Sequence, residues 1–240
     1  MTTDADISRS PARISAMFDD IAPRYDFLNH LLSAGIDRMW RKRAIRSLAL
    51  TGRECVLDLC TGTGDVAIEA HAAHPGAARV LGIDFSSAML GRGLEKLRRK
   101  QLDARIALVR GDASNIPVAG GSVDAVTIAF GIRNVDDRAA ACREILRVLR
   151  PGGRLAILEF AMPNSPLVRR LYLSYFRHVL PRIGRWISGH ATAYAYLPAS
   201  VDAFEPQTFM KLLHECGFVD VQADPMTFSS VFLYTAKRGR

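Results

Sequence analysis

Asp58, Asp84 and Asp112 lie within or just after short apolar runs in the first half of the chain, and a glycine loop follows the first of them. In ECVLDLCTGTGD, Val56, Leu57 and Leu59 have the character of a buried parallel strand, which Asp58 interrupts. A carboxylate near the carboxyl end of a buried strand needs partners to offset its desolvation. It therefore either binds loop amides or orients a ligand. Gly62 and Gly64 allow tight turning and close backbone approach, and Asp65 stands where a helix N-terminus favours negative charge. The motif reads strand, glycine loop, helix.

A dinucleotide fingerprint requires a third glycine three positions after Gly64, where this chain has Ala67, and no Gly-Lys-Ser/Thr follows for a phosphate loop. What remains is a nucleoside-type ligand without a pyrophosphate. Arg79 to Ile83 forms a second apolar strand, and Asp84 at its tip is placed to hold a ribose diol by two hydrogen bonds. Ser86 or Ser87 can also start a helix there, so capping is the structural alternative. Ile106 to Val109 is the third run, and Gly111-Asp112-Ala113 after it offers an acid and a backbone amide to the edge of an adenine ring.

The elements that must position these groups follow from periodicity. From Ser15 to Leu48 apolar residues recur at helical spacing, punctuated by Pro23 and Gly35, which predicts two or three short helices. They can fold over the carboxyl edge of the sheet as a lid, carrying Tyr25, Asp26 and Asn29. Val123 to Ala129 is the fourth strand, and ligands of open parallel sheets bind beyond the carboxyl ends of strands. Arg133 and Asn134, just past that strand, are therefore expected to face the site. Ala139 to Leu149 reads as a helix ended by Pro151-Gly152-Gly153, and Arg154 to Phe160 as the fifth strand. Gln207 to Cys216 reads as a helix, and Phe218 to Val221 and Val231 to Ala236 as a last, antiparallel pair. The fold class is α/β, doubly wound.

At 240 residues and 49% hydrophobic content, the chain can bury one sizeable core. Its start has no signal-peptide core and no run suits a membrane span, so the expectation is a cytoplasmic protein able to touch a membrane surface. Cys55, Cys60, Cys142 and Cys216 show no CxxC spacing and read as reduced structural thiols. His71 and His74 suggest no third metal ligand and are expected on a solvated helix face. The net charge of +8 asks for an anionic partner. Phe160 to Val201 contains no Asp or Glu in 42 residues, while Arg169, Arg170, Arg177, Arg182 and Arg185 alternate with aromatics. That composition suits an anionic membrane interface; nucleic acid and a basic-faced, sheet-covering helix are the alternatives.

FDDIAPRYDFLNHLLSAGIDRMWR, LDLCTGTGD, GIDFSSAML, GDASNIP, FGIRNVDD, REILRVLRPGGRLAILEF and the segments LYLSYFRHVLPRIG and AYAYL resemble the quinone-biosynthesis C-methyltransferases, from Phe18 to Ala236. These are S-adenosylmethionine-dependent enzymes of the doubly wound type. The resemblance implies a seven-stranded, mostly parallel sheet with an antiparallel last strand, an N-terminal helical lid over 1–50, and a core over 51–240 with a basic and aromatic insertion near 163–200. It implies S-adenosylmethionine held by Asp58, Gly62, Thr63, Gly64, Asp84, Asp112 and Ala113, and no metal. The acceptor would be a prenylated quinol, demethylmenaquinol foremost, methylated at a ring carbon, with Arg133, Asn134 and Tyr25 attending its hydroxyl. A serine common in relatives is Ala129 here, which removes one side-chain contact to the cofactor. Neither the Asn/Asp-Pro-Pro-aromatic motif nor the Pro-Cys of base methyltransferases is present, so no nucleic-acid partner is expected; a homo-oligomer is compatible. Two rivals remain open: methylation of another lipid or small phenol, and a non-catalytic organiser of a biosynthetic complex.

Overall fold

The computed structural model describes residues 19, 22, 26, 33, 35–74, 79–175, 200–201 and 204–240. The sequence-read strands are all present: β1 (Cys55–Leu59), β2 (Arg79–Asp84), β3 (Ile106–Arg110), β4 (Val123–Ala129), β5 (Leu149–Phe160), β6 (Phe218–Met226) and β7 (Val231–Arg238). They form one seven-stranded sheet in the order β3-β2-β1-β4-β5-β7-β6. β1 to β5 pair in parallel, whereas β7 runs antiparallel to both β5 and β6. The order reverses at β1, between β2 and β4, so a crevice opens beyond the carboxyl ends of those strands.

Among the described residues the α-helices are α1 (Asp37–Ser47), α2 (Asp65–Ala73), α3 (Ser87–Arg99), α4 (Arg138–Val148), α5 (Pro166–Ser174) and α6 (Pro206–Glu215). Two hydrophobic cores flank the sheet, and alternation along each strand divides the side chains between them. Leu57, Leu59, Ile157 and Tyr234 join α4 and α6 on one face. Val56, Leu158 and Leu233 join α1, α2 and α3 on the other.

Three local details refine the sequence reading. α1 presses Trp40, Ala44 and Ile45 onto a sheet face, so this last part of the N-terminal region covers the core. β5 begins at Leu149, before the Pro-Gly-Gly turn and not after it, because Leu149 already pairs with Val123 and the turn bulges out of the ladder with Gly152 at φ +76°. His71 is buried at 7% exposure, which corrects the expectation of a solvated face: Val66, Ala67, Ala70 and His71 form the inward stripe of α2. Tyr25 and most of the expected lid lie outside the described residues, as does 176–199 of the acid-free stretch.

Candidate active site

The cleft at the strand tips has a volume of about 870 Å³ including its open mouth. Gly62 lines it from the loop after β1, Asp84 and Phe85 from β2 and its exit, Gly111 to Ser114 from the exit of β3, and Ala129 to Gly131 and Asn134 to Asp136 from β4 and the loop after it. Leu59, Ile83, Met89 and Phe130 supply apolar walls. The described lining carries three carboxylates, Asp84, Asp112 and Asp136, and no basic side chain.

Asp84 is 6% exposed, and one carboxylate oxygen accepts from Gly62 N at 2.8 Å while the other accepts from Ser86 N at 2.9 Å. Burial raises its pKa against the pull of the Ser86, Gly62 and Phe85 amides. Each oxygen keeps a lone pair, so the group can still accept from a ligand diol. Ser86 caps α3 by accepting from Met89 N at 3.1 Å, so Asp84 fixes the glycine loop and the start of α3 together. Asp112 accepts from Ser114 N at 2.8 Å, folding the β3 exit so that Asp112 and Ala113 both border the cleft.

Asp58 is not part of the described lining. Its two oxygens accept from Thr61 Oγ1 at 2.5 Å and Thr127 Oγ1 at 2.7 Å, tying the glycine loop to β4. Burial pushes its pKa up to about 6, opposed by those hydroxyls and by the Ala67 amide. Of the two roles open to it from sequence, the loop-binding one is occupied. Gly64, at φ +81°, turns the chain into α2, a conformation glycine adopts without Cβ strain. Thr63 faces the other way: its hydroxyl donates to Asp26 at 2.5 Å and accepts from Lys96 Nζ at 2.9 Å. Lys96 also pairs with Asp65 at 2.7 Å. Ser86 Oγ donates to Asp19 at 2.5 Å, so Asp19 and Asp26 of the N-terminal region meet the loops after β2 and β1.

Past β4, Phe130 takes φ +58° and Cys60, past β1, takes φ +52°. Such left-handed non-glycine residues cost about 1–2 kcal/mol each and are tolerated where the surroundings dictate them. Here they bring the two strand exits together: a Cβ on Gly131 would stand 2.3 Å from Cys60 Cβ. Burial keeps the Cys60 thiol neutral, with Asp84 and Asp58 adding to the rise. Asn134 lines the cleft, whereas Arg133 is 6% exposed and turned inward. Its Nη1 donates to Glu159 Oε1 at 2.7 Å and Phe130 O at 2.5 Å, and its guanidinium lies 5.5 Å from the Phe160 ring centroid. Phe160 stacks on Phe130 at 4.3 Å, and Trp40 of α1 meets both rings edge-on.

Sequence reading had not picked out Glu159, Lys96, Asp19 or Asp136. Glu159 carried a usable signal, an acid inside the apolar run LAILEF, the same signature as Asp58. The other three are polar residues in polar surroundings and gave none.

Among solved structures, a putative S-adenosyl-L-methionine-dependent methyltransferase from Methanococcus maripaludis superposes with a TM-score of 0.69 at 22% identity, covering 93% of this chain and 94% of its own. The [4+2]-cyclase SpnF gives 0.69 at 16% identity, covering 94% and 95%. At these identities the likeness shows the fold, that of the class I methyltransferases. The chain is 49% identical to the ubiquinone/menaquinone biosynthesis C-methyltransferase UbiE of Syntrophotalea carbinolica, over 92% of each chain. It is 40% identical to the demethylmenaquinone methyltransferase of Bacteroides fragilis, over 94% of this chain and 92% of the relative. The model of the ubiE/COQ5 methyltransferase family matches residues 7–238, and the chain belongs to that family.

Proposed function

We propose that the protein methylates a ring carbon of a prenylated hydroquinone, demethylmenaquinol foremost, with S-adenosylmethionine as donor. The observation that carries the reading is the charge of the cleft: carboxylates at the tips of β2 and β3 and past β4, and no basic side chain among the described lining. That field suits a ligand bearing a sulfonium and an ammonium group and repels phosphates. Gly62, Asp84, Asp112 and Ala113 would hold the adenosyl group, with Gly64 shaping the loop, Asp58 bracing it and Thr63 closing it against the N-terminal segment. The bound donor supplies an electrophilic methyl group.

The acceptor carbon becomes nucleophilic when the neighbouring ring hydroxyl loses its proton, so the chain's chemical task is to favour the phenolate. Asn134, on the cleft wall, can orient the ring or a water that takes the proton. Arg133, one residue away and paired with Glu159, holds the loop that carries Asn134 and is assigned to the same hydroxyl from its place in the family motif. Tyr25 is assigned to the same oxyanion from its place in the family motif. The apolar walls at Phe130 and Leu59 exclude water, and most of the acceleration comes from holding the reactants aligned in a dry site.

A membrane surface is the proposed second partner, because an isoprenoid acceptor resides in a bilayer. Leu167 and Leu171 of α5 are 69% and 64% exposed, with Arg169 and Arg170 exposed beside them. No helix among the described residues is long and apolar enough to cross a membrane. Contact would be peripheral, from the cytoplasmic side. The test is mass spectrometry of products after supplying methyl-labelled S-adenosylmethionine with prenylated and unprenylated naphthoquinols and benzoquinols. Label on a ring carbon of a prenylated quinol is the expected result. Label on an unprenylated phenol alone would move the assignment to small phenolics, and donor binding without product on any acceptor would leave an organiser.

A further inference from the structure

We infer that Glu159 is a positioning residue for methyl transfer, acting through Arg133; this rests on the reading of Arg133 given above. Glu159, the penultimate residue of β5, has no solvent exposure and lies on the face covered by α4 and α6. Its Oε2 accepts from Arg133 N at 3.1 Å, and its Oε1 accepts from Arg133 Nη1 at 2.7 Å and from Phe160 N at 2.9 Å. One carboxylate thus holds Arg133 at both ends, by its backbone and by its guanidinium, and anchors itself on its own strand. Arg133 passes the constraint on by donating to Phe130 O, and by its Nε to Ser200 Oγ at 3.4 Å. Phe130 and Asn134, on either side of Arg133 in the chain, are cleft wall. Glu159 therefore sets the loop that carries the acceptor-facing groups against the strand next to it.

Three titratable side chains face the pair. Tyr172 of α5, Tyr234 of β7 and the Cys60 thiol each have their pKa raised first by burial, so all three stay neutral. Arg138 Nη2 donates to Arg133 O at 2.9 Å and adds a second hold on the same backbone. Fold stability alone does not call for a charge here, since well-packed apolar side chains replace a buried ion pair at little or no cost. What the charge pair supplies is direction: a planar guanidinium fixed in one orientation behind the wall that Phe130 and Asn134 give the cleft.

The test is a double-mutant cycle of Glu159→Gln and Arg133→Gln, reading kcat, acceptor KM, S-adenosylmethionine affinity by calorimetry, and Tm. Wild-type turnover is established first; absence of labelled quinol there overturns the substrate reading and with it this role, whereas wild-type turnover with kcat unchanged in Glu159→Gln overturns the inference alone. Glu159→Gln is expected to lower kcat by about 100-fold, the usual effect of a misplacement of about 1 Å, with donor affinity within about threefold of wild type. In the Arg133→Gln background the same change should alter kcat less than about twofold, because the two act as a unit. Unchanged kcat in Glu159→Gln, additive losses in the double variant, or loss of donor binding in step with Tm would each overturn the inference. Should the single variants not fold, Arg133→Met/Glu159→Leu, which buries no charge, takes their place: a folded, donor-binding, inactive protein supports the role, and an active one refutes it.

Discussion

Replacing Asp58 by Asn tests the electrostatics of the glycine loop through protein stability. Folding carries this carboxyl from its ordinary 3.8 to about 6, because burial outweighs the Thr61, Thr127 and Ala67 donors. A raised acid pKa means that the native state holds its proton more tightly than the unfolded chain does. Stability from this group is therefore fullest below about pH 4 and declines as pH rises to about 6, beyond which it is level. A rise of roughly two units corresponds to about 3 kcal/mol. Asparagine never ionises, but it offers one acceptor oxygen fewer, at a cost of about 1 kcal/mol. Asp58→Asn should then be less stable than wild type by about 1 kcal/mol near pH 4 and more stable by about 2 kcal/mol at pH 7, the sign changing between. Urea unfolding of both proteins across that range gives the difference directly; titrating groups remote from Asp58 cancel, while Asp84 and Cys60, which feel its charge, contribute to the difference. A gap independent of pH, or one that favours wild type more as pH rises, would refute the reasoning.

Asp84→Ala should weaken S-adenosylmethionine binding by about 10- to 100-fold, as expected for losing charge-assisted hydrogen bonds, and calorimetry that finds affinity unchanged would remove the ribose assignment. Gly131→Ala places a methyl group 2.3 Å from Cys60 Cβ, so the two strand exits must part. A Tm drop of about 4–8 °C is expected for roughly 2 kcal/mol, and an unshifted Tm would show that the exits are not in register. Leu167→Gln/Leu171→Gln should reduce co-sedimentation with vesicles containing anionic lipid while turnover of a short-chain, water-soluble acceptor stays at the wild-type level; undiminished sedimentation would take the membrane contact away from α5.

Local features were the legible ones. The strand tips at Asp84 and Asp112, and the α3 cap at Ser86, follow from patterns a few residues long, and the structure keeps all three. The inward stripe of α2 is also written in the spacing of Ala67 and His71, four residues apart, whereas His74 lies beyond the end of that helix. The position of Arg133 after β4 points it toward the cleft, but its direction depends on Glu159, 26 positions later, and on β4 and β5 being neighbours. Nothing near Arg133 in the chain carries that information. Lys96 and Asp26 meet across Thr63 for the same reason: three segments far apart in sequence converge only once α3 packs beside α2.

The placement of β7 makes the two borders of the sheet unequal. β6 has β7 as its ladder partner and, among the described residues, is reached by no other strand, although β6 precedes β7 in the chain. A backbone cut just before Val231 would therefore unmoor β6 as well, and loosen α6, which packs on both. At the opposite border, β3 among the described residues pairs with β2 alone, and its loss would strip away the Asp112 side of the pocket but leave six strands joined. Evolutionary grafting or circular permutation should accordingly be far better tolerated at the β3 border than at the hairpin.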